Sequence, residues 1–163
     1  MIIFVGAGPG AVDLITIRGQ RALATADCII YAGSLVNPAL LDYRKEGCEV
    51  HNSAGMTLEE VIEVMRQGHG EGKSVVRLHT GDPSLYGAIK EQMDALDALD
   101  IAYETIPGVS SFLGAAASLQ AEFTLPEVSQ TLILTRMEGR TPVPEKEGID
   151  RLASHQASMA IFL

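Results

Sequence analysis

The sequence predicts an α/β protein whose N-terminal part is a mostly parallel sheet flanked by helices and whose remainder begins a second α/β domain. Three observations carry that prediction. Short apolar runs recur, each stopped by a loop rich in Gly or Pro. Stretches with apolar residues at helical spacing separate those runs. Beyond Glu122 the alternation gives way to a different pattern, so residues 1–122 read as one domain and 123–163 as an incomplete C-terminal one.

Residues 2–5 form an apolar run that feeds Gly6-Ala7-Gly8-Pro9-Gly10, as a buried parallel strand entering a loop does. A helix follows over 16–26 and a second buried strand over 28–31. Pro38 opens a short helix, and residues 49–51 make a third strand. Thr57 and Glu60 have capping-box spacing ahead of Leu58, Val61, Ile62 and Met65, which share one helical face; Gly68, Gly70 and Gly72 end that helix. The next strand is 74–79, with Thr80-Gly81-Asp82-Pro83 at its carboxyl end. Tyr86, Ile89, Met93, Leu96 and Leu99 then fall at helical spacing. A fifth strand, 102–106, is broken by Pro107-Gly108, and an Ala-rich helix covers 109–119. In the second part, 131–135 reads as a strand, 148–154 as a helix and 158–163 as a strand. That last strand has no exit turn, so the second lobe reads as truncated.

Composition narrows the function classes. With 47% hydrophobic and 20% charged residues, the 163-residue chain is globular and not disordered. Its 12 basic and 21 acidic side chains leave a formal charge of −9, which argues against nucleic acid or an anionic membrane as a partner. No apolar run approaches the roughly 20 residues of a membrane helix. The N-terminus has no basic n-region and so does not read as a signal peptide. Cys28 and Cys48 lack metal or redox spacing and read as buried thiols suited to a reducing cytosol.

Ligands of a parallel sheet bind outside the carboxyl ends of its strands, where loops 6–10, 80–83 and 107–111 are placed. The first fits G-x-G-x-x-A, a weak signal for a dinucleotide. The second strand ends Tyr31-Ala32-Gly33 with no acid for a ribose, and Pro9 removes an amide; a tight turn without a ligand stays open. In the second loop Gly81 permits close backbone approach and Asp82 supplies an acceptor, or Asp82 or Ser84 simply caps a helix. In the third, Ser110 and Ser111 offer hydroxyls at a helix start, where N-capping is the plainer reading. His51, His69, His79 and His155 show no metal-ligand spacing. His79, beside the second loop, reads as buried and hydrogen-bonded rather than catalytic.

Together, residues 5–16 (VGAGPGAVDLIT), 81–87 (GDPSLYG) and 107–111 (PGVSS), in this order and spacing, resemble the tetrapyrrole methylases, and the resemblance covers essentially the whole chain. It implies S-adenosylmethionine as methyl donor, held by Pro9, Thr80, Gly81, Asp82, Leu85, Ser110, Ser111 and an apolar residue at the last strand, here Leu163. It also implies a tetrapyrrole substrate, no resident metal, and a cytoplasmic homodimer when the second domain is complete. Uroporphyrinogen methylases carry an aspartate and a lysine where Ala32 and Asn52 stand here. The stretches YAGSLVNPALL, HNSAGMTLEE, LPEVSQTLILTRMEGRTPVPE and SHQASMAIFL instead resemble the precorrin-methylating branch.

Precorrins are polycarboxylates, which directs attention to local basic groups. Residues 121–163 hold 6 acids and 4 bases, against 15 and 8 in 1–109. Arg136 and Arg140 are expected to grip substrate carboxylates, with surface salt bridging as the alternative. Tyr31 and Ser34 are placed toward substrate. No general base is nominated, and the catalytic residue is left open.

Overall fold

The computed structural model describes residues 1–139 and 141–163, except for the side chain of Ser34; the expectations placed on Arg140 and on the Ser34 side chain lie outside the described residues. The chain divides into two compact units, Met1–Gly114 and Ala115–Leu163, a boundary earlier than the change of pattern after Glu122.

In the first unit β1 (Ile2–Gly6), β2 (Cys28–Tyr31), β3 (Glu49–Asn52), β4 (Val75–His79) and β5 (Tyr103–Ile106) form one sheet in the order β3-β2-β4-β1-β5. Every pairing is parallel. The helices are α1 (Ile17–Thr25), α2 (Leu58–Gly70), α3 (Ile89–Ala98) and α4 (Ser111–Leu119), the last crossing the unit boundary. Alternation along the strands produces two apolar layers. Ile3, Val5, Ile29, Val76 and Leu78 pack with Ala22 and Leu23 of α1 and with Leu40. Ile2, Phe4, Cys28, Ile30 and Val75 pack with Val61 and Met65 of α2 and Leu96 of α3. Local chemistry agrees with these elements: Thr16 caps α1 by accepting from the Gly19 amide, and Thr57 and Glu60 form a complete capping box on α2.

Pro38 opens a short helix as expected, a 3-10 helix over Pro38–Tyr43. Two sequence expectations need correction. Cys28 is buried, but Cys48 is only half-buried. The helix expected from Tyr86 starts at Ile89 because Tyr86 and Ala88 adopt φ of +54° and +49°. Gly87 is pressed there against Pro83, whose carbonyl oxygen lies 2.3 Å from where a Cβ would stand. Periodicity counts apolar spacing and is blind to a turn of this kind.

In the second unit β6 (Leu132–Arg136) and β7 (Ser158–Phe162) pair in parallel, with the short α5 (Ile149–Ala153) between them in sequence. Ser129 and Ser158 secure the pair. The Ser158 amide donates to the Ser129 hydroxyl at 3.0 Å, and the Ser158 hydroxyl donates to the Phe123 carbonyl at 2.7 Å. Among the described residues no helix is long and apolar enough to cross a membrane.

The carboxyl ends of β1, β4 and β5 approach so closely that three glycines meet backbone to backbone. A Cβ on Gly108 would stand 2.2 Å from the Gly81 carbonyl oxygen and 2.7 Å from Gly6 Cα, and one on Gly6 would stand 2.5 Å from Gly108 Cα. Backbone cannot yield as a flexible side chain does. Gly108→Ala is therefore expected to destabilise the fold by about 3 kcal/mol, the upper end of overpacking costs. Gly55→Ala, which meets nothing within 4 Å, should change stability by no more than about 0.5 kcal/mol. Urea unfolding of the two variants measures the difference.

Candidate functional site

The site lies where the sheet order reverses. The chain leaves β1 toward β2 on one side and leaves β4 toward β5 on the other, and β1 and β4 are neighbours. Such a divergence opens a crevice at the carboxyl ends. Here three loops enter it and are bound to one another. The Ala7 amide donates to the His79 carbonyl at 2.7 Å; Gly8 and Gly81 exchange amide-to-carbonyl bonds of 3.2 and 3.0 Å. Gly81 reaches this position with φ of +56°. The first loop is also held by the Asn37 side-chain amide, which donates to the Gly10 carbonyl at 2.7 Å.

Asp82 connects the second loop to the third. Its Oδ2 accepts from the Gly108 amide at 2.8 Å, and its Oδ1 accepts from the Ser84 amide at 2.9 Å and from the Ser84 hydroxyl. Partial burial pushes the Asp82 pKa up, but these bonds outweigh it and hold the carboxyl below its usual range. Asp82 is therefore an ionised clamp. It does not cap α3, whose N-cap is Ala88 with no side-chain cap bond. Two oxygens offer about four acceptor positions, so the carboxylate retains capacity for a ligand donor.

The structure brings together most of the residues expected around the cofactor. Pro9 abuts the first turn of α4, where a Cβ on Gly114 would stand 2.6 Å from its ring. Gly81 faces Ser110 and Ser111, with its ideal Cβ position 3.5 Å from Ser110 Cα and the Ser111 amide nitrogen. Thr80 and Leu85 are half-buried in the same loop region, and Ser111 is exposed. Ser110 is 4% exposed, so its hydroxyl is largely enclosed. Tyr31 is half-buried at the carboxyl end of β2, where its carbonyl accepts from the Ser53 hydroxyl at 3.0 Å.

The other expected residues that the structure describes belong to the second unit. Leu163 belongs to the second unit and is fully exposed. Arg136, also in the second unit, donates from its guanidinium to the carbonyls of Met137, Thr141 and Pro142 at 3.0–3.2 Å. These bonds tie Arg136 to the Met137, Thr141 and Pro142 carbonyls and occupy three of its five N–H donors. Arg136 also lines a hollow of about 450 Å³ with Arg151, Glu138, Glu145, Glu147 and Asp150. Two arginines beside four acids make an environment less selective for a polycarboxylate than the sequence count suggests.

Sequence reasoning singled out His79 but missed Arg77, its buried polar neighbour on the same strand. Arg77 and His79 are 7% and 4% exposed and alternate with Leu78, so they point to the layer of α2 and α3. The Arg77 guanidinium donates to the Gln92 side chain at 3.1 Å and to the Ile30 carbonyl at 3.3 Å. Burial pushes its pKa down to about 10, which leaves it charged at neutral pH. His79 packs against Phe4 with ring centroids 6.1 Å apart. It is buried as expected, but its Nε2 has no hydrogen-bond partner among the described residues, which corrects the expectation of a bonded imidazole. Burial first, and the Arg77 charge second, push its pKa down to about 3. The apolar spacing of the strand conceals Arg77.

Comparison with known proteins supplies the context for these loops. Residues 1–163 match the family of Tetrapyrrole (Corrin/Porphyrin) Methylases. A cobalt-precorrin-4 C(11)-methyltransferase of Methanocaldococcus jannaschii is 63% identical over 162 residues, an alignment that takes in 99% of this chain and 62% of that protein. The chain thus spans less than two thirds of the length of that relative. The X-ray structure of a cobalamin biosynthetic enzyme, cobalt precorrin-4 methyltransferase, superposes with a TM-score of 0.96 at 51% identity, covering 99% of this chain and 68% of the other. A uroporphyrin-III C-methyltransferase from Thermus thermophilus, complexed with S-adenosylhomocysteine, superposes with a TM-score of 0.73 at 26% identity over 89% of this chain and 63% of that one.

His79 makes the fold sensitive to acid. The unfolded chain protonates this imidazole near its ordinary value of 6.5, whereas the folded chain excludes the proton until about 3. Stability therefore falls as pH drops below the unfolded value. Between about pH 7 and pH 5 the loss from this residue is roughly 2 kcal/mol. Urea unfolding should show that loss in the parent chain and not in His79→Leu.

Proposed function

Because the chain belongs to the tetrapyrrole (corrin/porphyrin) methylases, we propose that it serves methyl transfer from S-adenosylmethionine to carbon 11 of precorrin-4, in its metal-free or cobalt form, on the route to cobalamin. The observation that carries this reading is the 63% identity to the Methanocaldococcus jannaschii protein across nearly the whole chain. Ala32 and Asn52 agree with it, since the uroporphyrinogen branch places an aspartate and a lysine there. In the same reading the complete enzyme is a cytoplasmic homodimer.

The loops suit the donor. Close backbone approach at Gly81, the Asp82 carboxylate, the Thr80 and Ser111 hydroxyls and the apolar Pro9 and Leu85 offer surfaces for a ribose, an amino-acid end and a thioether. S-adenosylmethionine supplies a methyl group already activated by its sulfonium. The chain's own task is then orientation. Asp82 bonds two loops into one unit, Pro9 and Leu85 exclude water, and in this reading Tyr31 and Ser34 are the residues that meet the substrate. Holding a donor and acceptor in line is worth about 7–11 kcal/mol in favourable cases. In this reading Arg136 and Arg140 meet substrate carboxylates, Arg136 with the two N–H groups that its carbonyl partners leave available.

Calorimetric titration of S-adenosylhomocysteine into the 163-residue chain tests the assignment, with NADH as a control. Micromolar binding that weakens at least tenfold in Asp82→Ala is the expected result. Tight NADH binding without S-adenosylhomocysteine binding would overturn it in favour of a dinucleotide-binding module.

A further inference from the structure

A second cluster of chemically capable side chains lies at the other end of the first unit's sheet, where no loop of the proposed methyl-transfer site reaches. Cys28 opens β2 and Glu49 opens β3, and the parallel register sets them side by side, with Ile30 opposite His51. Glu49 and His51 are two residues apart, so their side chains share a face. Cys28 is buried on the layer of Val61, Met65 and Val75, and the other two stand at the rim. The Cys28 Sγ, a Glu49 carboxylate oxygen and a His51 ring nitrogen all lie within 4.8 Å of one another. They line a cavity of about 70 Å³ together with Gln67 and Lys73. That volume holds a metal ion and a water, whose share of liquid volume is about 30 Å³.

We propose that Cys28, Glu49 and His51 form a binding site for one divalent ion of the zinc type, with the fourth position taken by water. The donor set selects the ion. A thiolate and an imidazole favour zinc or cobalt(II) over magnesium or calcium, which prefer oxygen alone. Lys73 orients the carboxylate: its ammonium binds Glu49 Oε1 at 2.7 Å and Glu71 at 2.7 Å, while Glu49 Oε2 faces His51 Nε2 at 4.0 Å. Ligand atoms of a tetrahedral zinc site lie about 3.5 Å apart. Cys28 is anchored in the core, so the closure falls to the rim side chains of Glu49 and His51. On binding, the Cys28 thiol gives its proton to solvent and the sulfur bonds to the ion. Two anionic ligands and a neutral imidazole then balance the dication. Such an ion ties β3, the sheet's outer strand, to β2.

Cobalt(II) titration of the reduced 163-residue chain tests the site by absorption. The expected result is a near-ultraviolet thiolate-to-cobalt band with visible bands of tetrahedral intensity, all displaced by zinc. Cys28→Ser should abolish the near-ultraviolet band, His51→Ala should weaken binding at least tenfold, and Cys48→Ser should leave the spectrum unchanged. Absence of the band, or its survival in Cys28→Ser, overturns the proposal. So does affinity unchanged in His51→Ala, a surface substitution that decides the matter even if Cys28→Ser fails to fold.

Discussion

The mutual contact of Gly6, Gly81 and Gly108 is the constraint on which the rest of the first unit depends. Three strands deliver their carboxyl ends to one point, and the separation there leaves no room for a single Cβ. Close packing of backbone on backbone lets Gly8 and Gly81 pair across the gap and lets Asp82 reach the Gly108 amide. The result is a platform whose shape comes from main-chain geometry and whose chemistry is added by Thr80, Asp82 and Ser111. In the proposed methyl transfer, a platform fixed by its main chain suits the orientation of two reactants.

Much of this was legible in the sequence because the relevant signals are local. An apolar run that stops at Gly-Ala-Gly-Pro-Gly is a strand entering a loop, and the Thr57 and Glu60 pair is a capping box in the structure as in the spacing. What was not legible depends on distant partners or on unusual backbone. The left-handed conformations at Tyr86 and Ala88 leave no trace in apolar spacing. The carbonyls of Thr141 and Pro142 that accept from Arg136 could not be read from its place in the sequence. Cys28, Glu49 and His51 carry no metal-ligand spacing, because the parallel register and not the sequence interval brings them together. The second unit was read correctly as two strands and a helix, each within a residue or so of its observed ends.

Arg77 and His79 show a different economy. A buried cation is costly unless hydrogen bonds replace its water, and Arg77 has Gln92 and the Ile30 carbonyl for that purpose but no carboxylate. Its charge then acts on the neighbouring imidazole, which stays neutral in part for that reason. The two residues place fixed polarity on β4 itself, the strand that leads into the Thr80 to Pro83 loop, on the face turned away from α1.

The order β3-β2-β4-β1-β5 has a consequence for how the polypeptide comes to be folded at all. β1 is made first, yet it sits between β4 and β5 and pairs with nothing earlier than Val75. As the chain leaves the ribosome, β1 lacks both strand partners until β4 emerges; α1 can cover Ile3 and Val5 before then, whereas Ile2 and Phe4 wait for α2 and α3. Only β2 and β3 can pair meanwhile, and they lie to one side. Closing such long loops before any pairing rewards them makes assembly slow and exposes apolar strand edges to other chains. During synthesis, a strand that is buried along its whole length in the finished sheet spends the longest time without its neighbours.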